Sequence, residues 1–174
     1  LSATFNYVSR KILNKSTTTS HGGSTITQQV VKNITGKTEA TPERKVQEWY
    51  NAIKLEKKYK KWQILEMYMN IIYLGNGCYG VQSASKLYFN KDVSELSLGE
   101  SAFLAGITNS PETYNPFTEE GKANAKERQK IILNLMLNQG KISQKEYEQA
   151  LKDDLNFQLS LNSSPSAKVQ SYFV

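Results

Sequence analysis

The chain has 174 residues, with 22 Lys plus Arg against 16 Asp plus Glu, one His, one Cys and a formal net charge of +6. At roughly 150 residues per domain this is one domain with a real core, and 39% hydrophobic with 22% charged residues argue against intrinsic disorder. The lone Cys78 excludes an internal disulfide framework and a multi-cysteine zinc site, and the lone His21 argues against a His-rich metal centre or a Ser/His/Asp triad. No apolar run approaches the ~18–20 residues needed to span a bilayer. The chain opens on Leu1 rather than Met, and its start reads as a cut from something longer.

Taken in chain order, residues 4–14 carry Phe5, Val8, Ile12 and Leu13 at helical spacing, and the polar stretch from Asn14 to Gly23 ends the pattern. Ser24 is placed to cap a helix beginning at Thr25, with Ile26, Val30 and Ile34 as its apolar stripe. Thr41-Pro42-Glu43 is a start signal, with a hydroxyl cap, Pro at the first helical position and an acid in the first turn. The helix that follows puts Val46, Trp49, Tyr50 and Ile53 on one face, and a second long helix presents Trp62, Leu65, Met69 and Ile72 as its core stripe. The glycine-rich stretch Leu74 to Gly80 must turn. Ser97-Leu98-Gly99-Glu100 and Ser143-Gln144-Lys145-Glu146 have capping-box spacing, and Ser110-Pro111 to Asn115-Pro116 forms a rigid loop between them. A helix from about Glu119 runs to a stop at Gly140, and the alternation Leu155 to Leu159 predicts a short strand before a Ser/Pro-bearing tail. The fold class is mostly α.

The positive charge points to an anionic partner: nucleic acid, a membrane surface or a phosphorylated substrate. With 19 Lys and only 3 Arg (Arg10, Arg44 and Arg128), each Arg reads either as a place needing a planar fork of donors or as chance placement. The run Lys57-Lys58 with Lys60-Lys61 reads as a solvated face or as a contact for anionic headgroups.

Two segments carry chemistry. In Gly22 to Asn33 the positions Thr25, Gln28, Gln29 and Lys32 fall at i, i+3, i+4 and i+7, making a helix face of hydroxyl, amides and one cation with no acid. A solvated face is the plain alternative, but such faces usually mix Glu with Lys, and neutral amides pair well with sugar hydroxyls. The helix N-terminus behind loose glycines also suits an anion such as a pyrophosphate. In Arg44-Lys45-Val46-Gln47-Glu48, all three charges share one helix side. Spacing alone favours an ordinary surface ion pair, worth a few tenths of a kcal/mol; the alternative has two cations holding phosphate or sugar oxygens while Glu48 orients a reacting group.

Gly23-Ser24-Thr25-Ile26-Thr27-Gln28-Gln29 with Lys32-Asn33, then Arg44-Lys45 with Glu48, then Lys61 to Asn70, then Arg128 with Ile132-Leu133, resemble in order the signatures of the peptidoglycan glycosyltransferase domain of class A penicillin-binding proteins and monofunctional glycan polymerases. The turn with Tyr79-Gly80-Val81 and the Ala105 to Pro116 stretch follow the same family, so the resemblance runs from about Gly22 to Gly140. Two of the three arginines land on signature positions.

The resemblance implies a lysozyme-like helical lobe plus a smaller, membrane-facing lobe. Residues 1–160 are expected to form the transferase domain, truncated at its N-terminus, and 161–174 a tail toward a transpeptidase domain in the same parent chain. The implied reaction polymerises lipid II: the acceptor 4-hydroxyl attacks the anomeric carbon of the growing glycan strand, and undecaprenyl pyrophosphate leaves with inversion. Glu48 matches the catalytic glutamate beside the donor pyrophosphate. Lys32, Arg44 and Lys45 suit the pyrophosphate by charge, and Ser24, Thr25, Gln28, Gln29 and Asn33 match cleft or supporting positions. Glu66 and Asn70 match structural positions. The family's first signature, which carries the general base, is not in this chain, so the piece as given is expected to be inactive or nearly so. Many relatives have a basic residue where Ala40 stands, and Lys37 is the local substitute. No cofactor is required and no metal ligand set is expected; a divalent cation, Mg or Mn, is compatible with the pyrophosphate.

The expected location is the extracytoplasmic face of the bacterial membrane, against anionic lipid. An inactive scaffold that binds lipid II or glycan is the second reading, supported by the absent base; a nucleic-acid binder rests on charge alone, and no nucleic-acid partner is expected. Ser83-Ala84-Ser85-Lys86 fits the Ser-x-x-Lys pattern of penicillin-reactive enzymes, yet lacks its Ser-Asp-Asn and Lys-Thr-Gly partners.

Overall fold

A computed structural model describes residues 24–36, 41–153 and 155–157. The expected helix over 4–14, His21, Lys37 with Ala40, and the tail lie outside them. Among the described residues the chain forms α1 (Ile26–Thr35), α2 (Pro42–Lys58), α3 (Lys61–Ile71), α4 (Val81–Phe89), a 3-10 turn (Val93–Glu95), α5 (Leu98–Ile107), α6 (Glu119–Asn138) and α7 (Gln144–Lys152). No described residue belongs to a strand; Tyr73 and Tyr79 make one isolated bridge across the glycine turn. The predicted strand is therefore absent over 155–157, where Leu155 and Phe157 serve as irregular-backbone plugs of the core.

The helix starts follow local chemistry. Thr41, Ser97 and Ser143 cap α2, α5 and α7 through their hydroxyls, and Glu100 and Glu146 close the capping boxes of the last two. The first helix begins one residue later than the spacing predicts: Thr25, not Ser24, is the cap, because Gln28 three residues on completes a box with it.

The body of the molecule is built around α5, whose buried Ala102, Phe103, Leu104 and Ile107 leave almost no polar side. Tyr88 of α4 meets Phe103 edge-on at 5.5 Å and stacks on Phe117 at 5.7 Å; Phe157 closes on both Phe89 and Phe103. Against its other side, Ala102, Leu133 of α6 and Ala150 of α7 form a second cluster. Gly106 lets α6 approach, since a Cβ there would lie 2.9 Å from the Arg128 side chain. The carboxylate of Glu100, buried at the α5 N-terminus, accepts from the Ser97 backbone at 2.8 Å and from Lys91 Nζ at 2.7 Å, which makes its burial tolerable.

A second group of helices stands apart: α1 packs on α2 and α3 and on no other described helix, and α3 alone joins this group to α4. Here the apolar stripes read from spacing are corrected. On α1 the buried positions are Thr27, Val30 and Val31, while Ile26 and Ile34 face out. On α2, Val46, Trp49, Tyr50 and Ile53 are all exposed and the inner side is made by Glu48 and Ala52. On α3, Trp62, Leu65 and Met69 are exposed; Ile64 and Ile72 turn inward. The inside of this group combines Val30, Val31, Ala52 and Ile64 with the buried Thr27 and Glu48, while the larger apolar side chains of α2 and α3 line its outside.

The turn after α3 combines a positive φ with a close backbone approach. Gly80 has φ 82° and ψ 151°, and a Cβ there would sit 2.6 Å from the Asn70 carbonyl oxygen; Gly77 also has positive φ, at 75°, but meets nothing within 4 Å. Gly80→Ala is therefore expected to lower the unfolding free energy by about 2–4 kcal/mol, against about 1 kcal/mol for Gly77→Ala, as read by urea denaturation. Equal losses at both sites would contradict the backbone clash.

Tyr88 adds a pH signature. Burial pushes its phenol up from 10.0 to about 12, while its hydroxyl donates to Leu74 O at 2.6 Å. The neutral form is favoured in the fold, so this contribution is whole below pH 10 and is lost as pH rises from about 10 to about 12. The stability difference between wild type and Tyr88→Phe should shrink across that window and be flat below it, measured by denaturation at stepped pH.

Candidate functional site

The site grows from the seam between α1 and the first half of α2. Pro42 and the Thr41 cap start α2 so that Arg44, Lys45 and Glu48, within little more than one turn, face α1. Glu48 is 4% exposed, so the surface ion pair suggested by spacing is instead a buried carboxylate with cations above it. Arg44 Nη1 donates to Glu48 Oε2 at 2.7 Å, and Lys45 Nζ donates to Glu48 Oε1. The same ammonium donates to Ser24 Oγ at 2.8 Å, tying the residue before α1 to the inside of α2. A carboxylate taken from water needs such partners on both oxygens.

Beside this cluster lies a groove of about 330 Å³, with Val31, Lys32 and Thr35 on the α1 side and Arg44, Glu48 and Asn51 on the α2 side. The lining carries two cations, Lys32 and Arg44, against Glu43 and Glu48; with Lys45 beside the groove also paired to Glu48, the balance tips to positive and suits an anion. The oxygens of Glu48 are engaged by the two cations, which leaves the cluster ill-suited to a dedicated metal site. Among the described residues no three His, Cys, Asp or Glu side chains converge as metal ligands.

The remaining residues singled out in the sequence divide. Thr25 and Gln28 hold each other in the cap of α1: Thr25 Oγ1 accepts from Gln28 N at 3.2 Å, and Thr25 N donates to Gln28 Oε1 at 3.3 Å. Gln29 donates through Nε2 to Ser24 O and accepts from the Tyr68 hydroxyl, both at 3.5 Å. Asn33 is exposed near the end of α1 and does not line the groove. Arg128 sits on the α5–α6 seam with Nε donating to Gly106 O, and Asn70 bonds back to Glu66 O within α3. Residue spacing missed Thr35, Asn51 and Tyr68: their polar groups reach the site only once three helices are packed. Cys78 is a free thiol whose pKa is raised by burial, which argues against a reactive nucleophile.

Residues 2–137 match the family described as Transglycosylase. The chain is 48% identical over 135 residues to penicillin-binding protein 1A of Clostridium botulinum, covering 76% of this chain and 16% of that one. It is 43% identical over 153 residues to penicillin-binding protein 1A of Aquifex aeolicus, covering 88% and 20%, and 44% identical over 152 residues to penicillin-binding protein 2D of Bacillus subtilis, covering 87% and 22%. The chain thus spans about a fifth of the length of these relatives. The crystal structure of penicillin-binding protein 1A from Haemophilus influenzae is similar in fold, with a TM-score of 0.55 and 32% identity over 76% of this chain and 17% of that one. Its helical, lysozyme-like architecture agrees with the elements described above. Signature residues, helical fold and relatives agree: the chain belongs to the transglycosylase family, as the glycosyltransferase domain of a class A penicillin-binding protein.

Proposed function

We propose that this chain is the glycosyltransferase part of a protein that polymerises lipid II, joining its disaccharide-peptide units into glycan strands on the extracytoplasmic face of the membrane. The general base is supplied by a segment of that protein outside this chain. The observation that carries this reading is the buried Glu48 held between Arg44 and Lys45 beside a groove that Lys32 also lines. In the reaction the acceptor 4-hydroxyl forms a bond to the anomeric carbon while the bond from that carbon to the pyrophosphate oxygen breaks. The leaving undecaprenyl pyrophosphate keeps the electron pair, and Lys32, Arg44 and Lys45 offset the charge that grows on it. Glu48 aims the two α2 cations rather than taking the acceptor's proton, because both its oxygens already accept from them. That proton passes to a separate general base, as inversion requires a base on the face opposite the leaving group.

No resident cofactor enters the proposal. A Mg or Mn ion would be carried by the pyrophosphate itself, since Glu48, the buried carboxylate at the groove among the described residues, is already taken. Other features support a membrane setting. Trp49, Tyr50, Ile53, Trp62, Leu65 and Met69 are exposed on α2 and α3, with Lys57, Lys58, Lys60 and Lys61 exposed at their junction. No helix of the described residues is long and apolar enough to cross a membrane. A transpeptidase domain in the same parent protein is part of the same reading, from the names and lengths of the relatives.

In the full-length protein, Glu48→Gln is expected to cut lipid II polymerisation by about 100-fold or more while the circular dichroism spectrum is kept. Near-normal glycan synthesis by that variant would remove Glu48 from the mechanism, and a wild-type protein that binds lipid II without extending it would favour the scaffold reading. The cations should separate by role. Lys32→Ala, at an exposed position, should leave stability within about 0.5 kcal/mol and weaken donor binding about 10-fold. Lys45→Met should weaken binding and also cost about 1–2 kcal/mol of stability, because it releases both Ser24 and Glu48. Urea titrations and a lipid II binding assay read the two effects independently.

A further inference from the structure

Asn51 stands in the middle of α2, half-buried, about one turn beyond Glu48. Asparagine is a poor residue for a helix interior, because its short amide competes for nearby backbone groups. Other asparagines of this chain settle that competition within their own helix. Asn70 donates to Glu66 O at 2.9 Å, and Asn138 donates to Asn134 Oδ1 at 2.7 Å. Asn51 does neither, and its amide makes no hydrogen bond to any described residue. The carboxylate of Glu48 is turned to Arg44 and Lys45 rather than to Asn51.

The residue lines the groove instead, and so does Lys32 from the α1 wall. Lys32 likewise makes no hydrogen bond or ion pair with a described residue. The hydroxyls of the lining are occupied: Thr35 donates to Val31 O at 2.9 Å, and Thr41 Oγ1 accepts from Arg44 N at 3.2 Å in the cap of α2. Two facing helices thus bring uncommitted donors to one cavity. An ammonium supplies charge with little direction, whereas an amide N–H supplies direction without net charge. An anion held between the two walls uses both, and an N–H to a phosphate oxygen is stronger than one to a neutral acceptor.

We propose that Asn51 is a further substrate-binding residue: its NH2 group donates a hydrogen bond to a phosphate oxygen of the pyrophosphate, across the groove from Lys32. The inference rests on the proposed function and deepens it, adding a neutral contact to a set of cations. Because the amide has no described protein partner, its removal lowers affinity and not stability. Because it is neutral, its contribution is insensitive to ionic strength, unlike that of Lys32.

The test is Asn51→Leu in the full-length protein, which keeps the side-chain size and removes both polar atoms. Affinity for inorganic pyrophosphate, read by titration calorimetry, should fall about 10-fold. KM for lipid II should rise by a similar factor, with a melting temperature at or above wild type. The salt dependence of pyrophosphate affinity should match wild type in Asn51→Leu and flatten in Lys32→Ala. Asn51→Asp puts a negative charge where the N–H was and should bind more weakly than Asn51→Leu. Wild-type affinity and KM in Asn51→Leu would overturn the proposal even with Asn51→Asp impaired, because a charge acts through its field without contact. A flattened salt dependence in Asn51→Leu would overturn it as well, since the loss would then lie in the cations. If Asn51→Leu melts early, Asn51→Ala decides in its place. If free pyrophosphate binds too weakly to titrate, KM decides alone. If the wild-type protein neither binds nor extends lipid II, the proposed function fails, and the pyrophosphate affinities then read the Asn51 contact by themselves.

Discussion

The clamp of Arg44 and Lys45 on Glu48 organises the smaller group of helices. A carboxylate buried to 4% exposure requires cations on both oxygens, and those cations sit on its own helix at i−4 and i−3. Because Lys45 also reaches Ser24, the clamp fixes how α1 enters against α2. With polar and charged groups inside, the seam between the helices becomes a groove rather than a packed core. The same choice explains the exposed tryptophans: α2 and α3 turn large apolar side chains outward because their inner faces are occupied by charge, small residues and the backs of Val30 and Val31.

The main body solves the opposite problem. Around α5 the inward faces are apolar or aromatic, and the few buried polar groups, Ser85, Glu100 and Gln129, each reach a backbone group. Glu100 serves its own cap and Lys91; Gln129, fully buried on α6, donates to the Gly99 carbonyl at 2.8 Å. The rings of Tyr88, Phe89, Phe103, Phe117 and Phe157 form one connected set of contacts. It supplies a fixed frame from which α3 holds the site-bearing helices. The molecule thus divides its labour between an apolar frame and a polar, charge-lined working seam, joined through α3.

Much of the fold is legible from local rules. Capping boxes at Ser97 and Ser143, the Thr-Pro start of α2 and the glycine turn are set by bonds within four residues, so they appear where the sequence places them. Where structure and spacing differ, a partner beyond the local pattern decides. Hydroxyl position alone allows Ser24 as the cap of α1, whereas Thr25 takes the role because Gln28 is its reciprocal partner. On α2 the four apolar residues share one face, as spacing predicts, and that face is exposed; on α3 the expected core stripe turns Trp62, Leu65 and Met69 outward, because periodicity tells which residues share a face, not whether that face meets protein or solvent. The alternation from Leu155 to Leu159 predicts a strand, but over 155–157 no described strand pairs with it, and Leu155 and Phe157 fill the aromatic core instead.

What the sequence determined by itself is the chemistry on offer: the order of the signatures, the helix starts, and the set of amides, hydroxyls and cations around Glu48. Their spacing on one helix already puts Arg44, Lys45 and Glu48 on one side. Only the tertiary structure decided that this side is buried, that Lys45 crosses to Ser24, and that Tyr68 and Asn51 come to the site from other turns and helices. The reason is physical. Spacing along a helix is a local property of 3.6 residues per turn, whereas burial and cross-helix contact depend on which faces of α1, α2 and α3 exclude water from one another.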